Sequence, residues 1–179
     1  MSYDCNFYPK EQYKSLIFNS GSMNDAAETE PDTEQLGDSN ISILGWLMPQ
    51  GDEDEYSLTF SVPKDAKNGC RNVKVFVHLI TDNSNTPNGN RFSIRLSSLF
   101  TKVNGVISID DLNTVTRTNI PIQNSPGNFQ YNHYVLEFRL DDFIRPEDCA
   151  LLSIARIPAT NDYEGAVAIT SIEFRYLSY

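Results

Sequence analysis

Hydrophobic and polar positions alternate with period two along most of this chain after its first third. Tyr134, Leu136, Phe138 and Leu140 share one face of an extended segment, and His133, Glu137 and Arg139 share the other. Alternation of this kind marks a half-buried β-strand. The same pattern predicts strands over 150–157 and 167–176, and earlier over 41–48, 56–62, 71–81, 91–100 and 115–120. In 71–81, Val73, Val75, Val77 and Leu79 make one face while Phe76 and Ile80 add bulk to the other. Two of these runs carry a change of phase. Gly45 interrupts the first, which predicts a bulge or a sheet edge, and a slip at Thr170-Ser171 predicts a bulge in the last. The Thr-rich run 115–120 has the look of an edge strand, and Asn104-Gly105 predicts a hairpin turn leading into a further strand at 106–109.

Clusters of Gly, Pro, Asn, Asp and Ser at 82–90, 121–128, 141–148 and 158–165 separate the runs. About eight strands with turn signals between them, and no amphipathic helix longer than a turn or two, predict an all-β fold. The expected architecture is a two-sheet antiparallel sandwich, jelly-roll-like. An immunoglobulin-like sandwich has a similar strand number, but no Cys–Trp–Cys pattern supports it.

Charge divides the chain in two. Residues 1–55 hold 12 of the 24 acidic groups and only two of the 14 basic ones, so the whole net charge of −10 lies there. Two regions are therefore expected: an N-terminal arm and acidic linker over 1–40, and a β-sandwich domain over 41–179. Within the first, Tyr3, Phe7, Tyr8, Tyr13 and Phe18 make an aromatic arm that either packs on its own domain or docks on a neighbouring subunit. Deleting residues 1–38 is expected to leave a folded body. The stretch 19–40 is acidic and poor in apolar residues, which predicts an extended spacer.

The neutral body has no local run of Lys and Arg, which argues against nucleic-acid binding. No apolar segment has the length of a transmembrane helix, so membrane insertion is not expected, and no signal peptide is visible. Cys5, Cys70 and Cys149 are far apart and odd in number, against a disulfide framework or a zinc site.

Catalytic motifs are absent: there is no G-x-S-x-G, P-loop, H-E-x-x-H or G-x-G-x-x-G. The adjacent carboxylates Asp110-Asp111 and Asp141-Asp142 lie in turns where neighbouring side chains diverge, which argues against a glycosidase pair. No enzyme, cofactor or metal is expected. Trp46, Tyr131, Tyr134 and Tyr163 are aromatic positions suited to stacking on sugar rings, each with an alternative place in the core. His78 and His133 both fall on strands. Arg156 is expected to satisfy a loop carboxylate such as Asp162, with Tyr163 capping the sandwich end.

One pattern is more specific. A strand ending Leu-Ser-Ile-Ala-Arg at 152–156 leads through Asn161-Asp162-Tyr163-Glu164-Gly165 into a strand ending Ile-Glu-Phe-Arg-Tyr at 172–176. This resembles the C-terminal half of small β-sandwich virion proteins of tailed bacteriophages, found among head-fibre, decoration and tail components. The resemblance implies a non-enzymatic assembly role in the virion after assembly in the host cytoplasm. The implied partners are copies of the chain itself, as a trimer, and other virion proteins. The alternative reading is a module that binds a carbohydrate or a receptor, such as a cell-surface glycan.

Overall fold

The structure, a computed structural model, describes residues 12–20, 24–25, 33–36, 43–50, 55–69, 71–82, 89–108, 112–123, 131–165 and 167–178. Its strands are β1 (Gln12–Asn19), β2 (Asn24–Asp25), β3 (Thr33–Leu36), β4 (Ile43–Met48), β5 (Glu55–Ser61), β6 (Val73–Asp82), β7 (Arg91–Thr101), β8 (Asn113–Pro121), β9 (Tyr131–Leu140), β10 (Cys149–Ile157) and β11 (Val167–Ser178). They form two antiparallel sheets. One runs β3-β4-β11-β6-β9, with β1 also on β11, and the other runs β2-β5-β10-β7-β8. The chain is a jelly-roll-like β-sandwich.

The alternating positions turn inward as expected. Val73, Val75, Val77 and Leu79 of β6, Phe138 and Leu140 of β9, and Leu152 and Ile154 of β10 are buried between the sheets. Phe174 of β11 stands at the centre, edge-on to Phe60 at 4.9 Å and tilted against Phe100. Burial of this many large apolar side chains, each stabilising by roughly 1.5–3 kcal/mol, holds the two layers together. Arg117 of the edge strand β8 donates through Nε to the Glu137 carbonyl of β9 at 2.9 Å, closing one side of the sandwich.

β11 is the long central strand. One edge pairs with β6; the other is shared end to end by β4 (at 167–169) and β1 (at 171–178). The ladder to β6 shifts register between Ile169 and Ser171, the bulge predicted at Thr170-Ser171. At Gly45 the reason for glycine is close approach: a Cβ there would lie 2.9 Å from the Ala168 Cβ of β11. Gly45 does not mark an edge, because β3 pairs beyond β4. β8 is an edge strand, as its Thr-rich sequence suggested.

Two expectations are corrected: that the body is whole without residues 1–38, and that 106–109 is a strand. The described part of the arm takes the first of its two expected courses and packs on its own domain. Residues Gln12–Asn19 pair with β11 along their whole length. Phe18 lies 4.8 Å from Phe60, and Leu16 packs on the core. Lys14 Nζ meets Asp65 Oδ2 at 2.5 Å, and Tyr176 donates to the other Asp65 oxygen at 3.0 Å, pinning the strand to the body. Two pieces of the acidic stretch, β2 and β3, add to β5 and β4. Main-chain ladders need no apolar side chains, so charge composition does not reveal such strands. A cut at residue 38 removes part of the sandwich. The second concerns 106–109. Residues 106–108 lie outside the strands, and Val106 and Ile107 are exposed. Asn104 turns at φ 62°, Gly105 N donates to the Lys102 carbonyl at 2.7 Å, and the edge of β7 is taken by β8.

Candidate functional site

The aromatic residues singled out from the sequence do not converge. Trp46 is 4% exposed, stacks tilted against Tyr56 with ring centroids 5.1 Å apart, and donates its indole N–H to the Ser20 carbonyl. Tyr163 is 6% exposed beneath the Arg156 guanidinium. Both are packed into the sandwich and offer no ring face to a ligand: Trp46 on an inward position of β4, and Tyr163 in the loop between β10 and β11, against Arg156 and Gly165. Tyr134 is also buried, and its hydroxyl accepts from Gln123 N at 3.0 Å. Tyr131 is half-buried at the start of β9. Phe18 is packed inward, and Tyr13 is exposed on the outer face of the six-stranded sheet. Tyr3, Phe7 and Tyr8 lie outside the described residues.

An open cleft of about 400 Å³ lies elsewhere, where β7 runs into β8 beside the β9–β10 connection. Its walls include Leu99, Thr101, Lys102, Asn113, Asp142 and Phe143. The β9–β10 connection alternates like a strand: Asp142 and Ile144 point in, Asp141 and Phe143 point out. The adjacent carboxylates therefore diverge, as expected from their turn. Phe143 is 52% exposed, and the Arg71 guanidinium sits 3.9 Å from its ring centroid while reaching Asp141 at 3.5 Å.

Asp142, 7% exposed, forms the polar floor. Its Oδ2 accepts from Ser98 Oγ at 2.7 Å, and its Oδ1 accepts from the Asn113 side-chain amide. A carboxylate has about four lone-pair positions, so two hydrogen bonds leave acceptor capacity toward the cleft. Among the described residues no Lys or Arg pairs with Asp142. Lys102 adds a donor at the rim. The arrangement combines a half-exposed ring with spare acceptors and donors in a concave wall, which suits a ligand that is polar at its edges and apolar on its face.

This wall is held rigidly. Gly69 N donates to the Ile144 carbonyl at 2.9 Å, and Val62 and the 147–148 backbone exchange two further hydrogen bonds. The Asp148 carboxylate accepts from Arg145 N at 3.0 Å, closing the turn. Burial pushes the Asp148 carboxyl above the ordinary range, against the pull of that amide and of the Arg145 charge.

A second cluster lies on the outer face of the six-stranded sheet. The β6–β9 register sets His78 opposite Val135 and Ile80 opposite His133, which makes the two histidines diagonal neighbours. His78 Nδ1 and His133 Nε2 are 3.3 Å apart, with the ring planes only 20° from parallel. Burial, then the neighbouring imidazole, lower the His78 pKa, and the Glu173 carboxylate partly opposes them. Sequence reading placed both histidines on strands; their meeting depends on register, which the sequence does not display. Among the described residues, no group of three or more His, Cys, Asp or Glu is arranged to hold a metal ion, and no helix is long and apolar enough to cross a membrane.

No protein-family model matches the chain, and no curated protein matches its sequence. Solved structures share its fold. A xylan-binding module of carbohydrate-binding family 15 superposes with TM-score 0.51 at 9% identity, over 92% of this chain and 97% of that one. Latent PorU from Porphyromonas gingivalis superposes with TM-score 0.50 at 9% identity over 94% of this chain, which spans only 13% of the PorU chain. A xylan-binding domain from Paenibacillus barcinonensis gives TM-score 0.47 at 10% identity, over 92% of this chain and 94% of that one. At such identities the likeness to the first two shows the fold alone.

Proposed function

We propose that this chain is a non-catalytic carbohydrate-binding module and that the cleft beside Phe143 takes the sugar. The observation that carries the proposal is the half-exposed Phe143 ring next to the buried Asp142 carboxylate and the exposed Asn113 amide bonded to it. A pyranose is apolar on its C–H face and ringed by hydroxyls. Its face would lie on Phe143 while its hydroxyls donate to Asp142 and exchange hydrogen bonds with Asn113 and Lys102. The proposal also draws support from the fold, since a xylan-binding module shares it along nearly the full length of both chains. Hydrolysis of a glycosidic bond takes two facing carboxylates. Among the described residues Asp142 is the one acidic residue that lines this cleft, which supports binding without catalysis.

A glycan microarray probed with wild-type protein and with Phe143→Ala tests the reading. It expects a set of structurally related glycans bound by the wild type and lost in the variant. An empty array, or hits that the variant retains, would oppose it.

The sequence resemblance to phage virion proteins supports a second reading, an assembly subunit located in the particle. The observation favouring self-association is the exposed set Tyr13, Ile17 and Val135 on the outer face of the six-stranded sheet. Light scattering of the purified chain tests it: a trimer mass supports this reading and a monomer mass opposes it.

A further inference from the structure

We infer that His78 and His133 form a bidentate surface site for a borderline transition-metal cation of the zinc class, with water filling the remaining positions. The inference is independent of the glycan reading, because the pair lies on the outer face of the other sheet.

The argument starts from the spacing. His78 Nδ1 and His133 Nε2 face each other at 3.3 Å. Two nitrogens at that separation, each about 2.05 Å from a zinc ion, subtend about 107° at the metal, close to the tetrahedral angle. The rings are nearly coplanar, and their centroids are 5.5 Å apart. That is close to the nitrogen separation plus the distance from each nitrogen to its own ring centre, so the two nitrogens point toward one another. Without metal this is an N–H···N hydrogen bond between tautomers. Rotation of both rings, each swinging its lone pair about 36° off the line between the nitrogens, brings them onto a common point.

The surroundings hold the pair in place. Strands β6 and β9 fix both backbones in a continuous antiparallel ladder, so the ligands are held by the sheet and not by a loop. The Thr170 hydroxyl donates to the His78 carbonyl at 3.2 Å, tying β6 to the β11 bulge beneath the ring. Imidazole ligands select zinc, copper or nickel over calcium and magnesium.

Calorimetric titration of the full-length, chelator-treated protein with zinc chloride at pH 7.5 tests the site, together with nitrogen-resolved NMR of the two imidazoles. The expected result is saturable binding of one zinc per chain. The resonances of His78 Nδ1 and His133 Nε2 should shift, those of the opposite ring nitrogens much less. His78→Gln and His133→Gln should each weaken binding by more than about tenfold, because one ligand of two is lost. Both positions are on the surface, and an unchanged melting temperature would show that the variants fold. Replacing all three cysteines with serine should leave the binding intact. Absence of binding at millimolar zinc, binding that survives His78→Gln, or binding abolished by the cysteine substitutions would each overturn the assignment.

Discussion

Arg156 of β10 and Asp162 of the loop that follows it meet at 3.3 Å, with the Arg156 side chain 2% exposed. The same guanidinium donates to the carbonyls of Met48, Gly165 and Tyr163, so one buried cation gathers β4 and the 158–165 loop. That loop is also fastened to β7, through Arg91 N to the Asn161 carbonyl and Tyr163 N to the Arg91 carbonyl. Removing the cation leaves Asp162 and three carbonyls without their partner in a buried setting. Arg156→Met is therefore expected to cost about 3–5 kcal/mol, the loss typical of breaking a buried pair at one side. Urea denaturation followed by tryptophan fluorescence measures it. A loss below about 1 kcal/mol, the scale of an exposed ion pair, would show that the cluster carries little of the fold.

Gly165 sits under the ring that Arg156 covers. A Cβ at that position would lie 2.4 Å from the Tyr163 hydroxyl oxygen and 2.5 Å from its Cζ. The ring is buried and has no easy escape. Gly165→Ala should destabilise by roughly 1–3 kcal/mol through overpacking. Thermal unfolding monitored by circular dichroism checks this. The double variant Gly165→Ala/Tyr163→Leu should recover part of the loss, whereas simple additivity would place the strain elsewhere.

Tyr176 offers a titration prediction. Burial, then its hydrogen bond to Asp65, push its pKa up from 10.0 to about 12. Hydrogen bonding from Lys14 in turn holds Asp65 below the ordinary carboxylate range. With a folded pKa above the unfolded one, the contribution of Tyr176 is fully present below pH 10. It is lost as pH rises from about 10 to about 12, where the unfolded chain ionises first. Absorbance at 295 nm should show a late-titrating tyrosine that disappears in Tyr176→Phe and titrates earlier in Asp65→Asn. No late component in the wild type would contradict the arrangement.

Truncation tests the place of β1. Removing residues 1–19 takes away the ladder to 171–178 and the Phe18–Phe60 contact. It also uncovers a long main-chain edge on the central strand, the kind of edge that templates aggregation. The truncated protein is expected to melt lower and to self-associate. A truncated chain with unchanged stability and mass would show that β1 is dispensable.

Much of this fold was legible in the alternation. Burial of every second residue along most of β6 and β9 follows directly from the apolar phase, and the slip at Thr170-Ser171 told of the bulge. The Arg156–Asp162 pair was also legible, because the two are six residues apart across one turn. The strands before residue 40 were not, since main-chain pairing is indifferent to the acidic side chains that dominate there. The cleft was hidden for another reason. Ser98, Asn113, Asp142 and Phe143 come from three segments that only the sheet order brings together. Phe143 is one exposed ring in a connection that reads as a turn. Trp46 and Tyr163 drew attention by residue type, but core packing claimed both, Trp46 from β4 and Tyr163 from the last loop.

The central claim is that a sugar stacks on Phe143, and it comes down to one affinity ratio. Isothermal titration calorimetry with the strongest array glycan should give a wild-type affinity that falls at least about tenfold in Phe143→Ala, a loss of about 1.4 kcal/mol. Melting temperature should not change, because the ring is half exposed. Equal affinities for the wild type and Phe143→Ala would contradict the account and move the ligand away from this cleft.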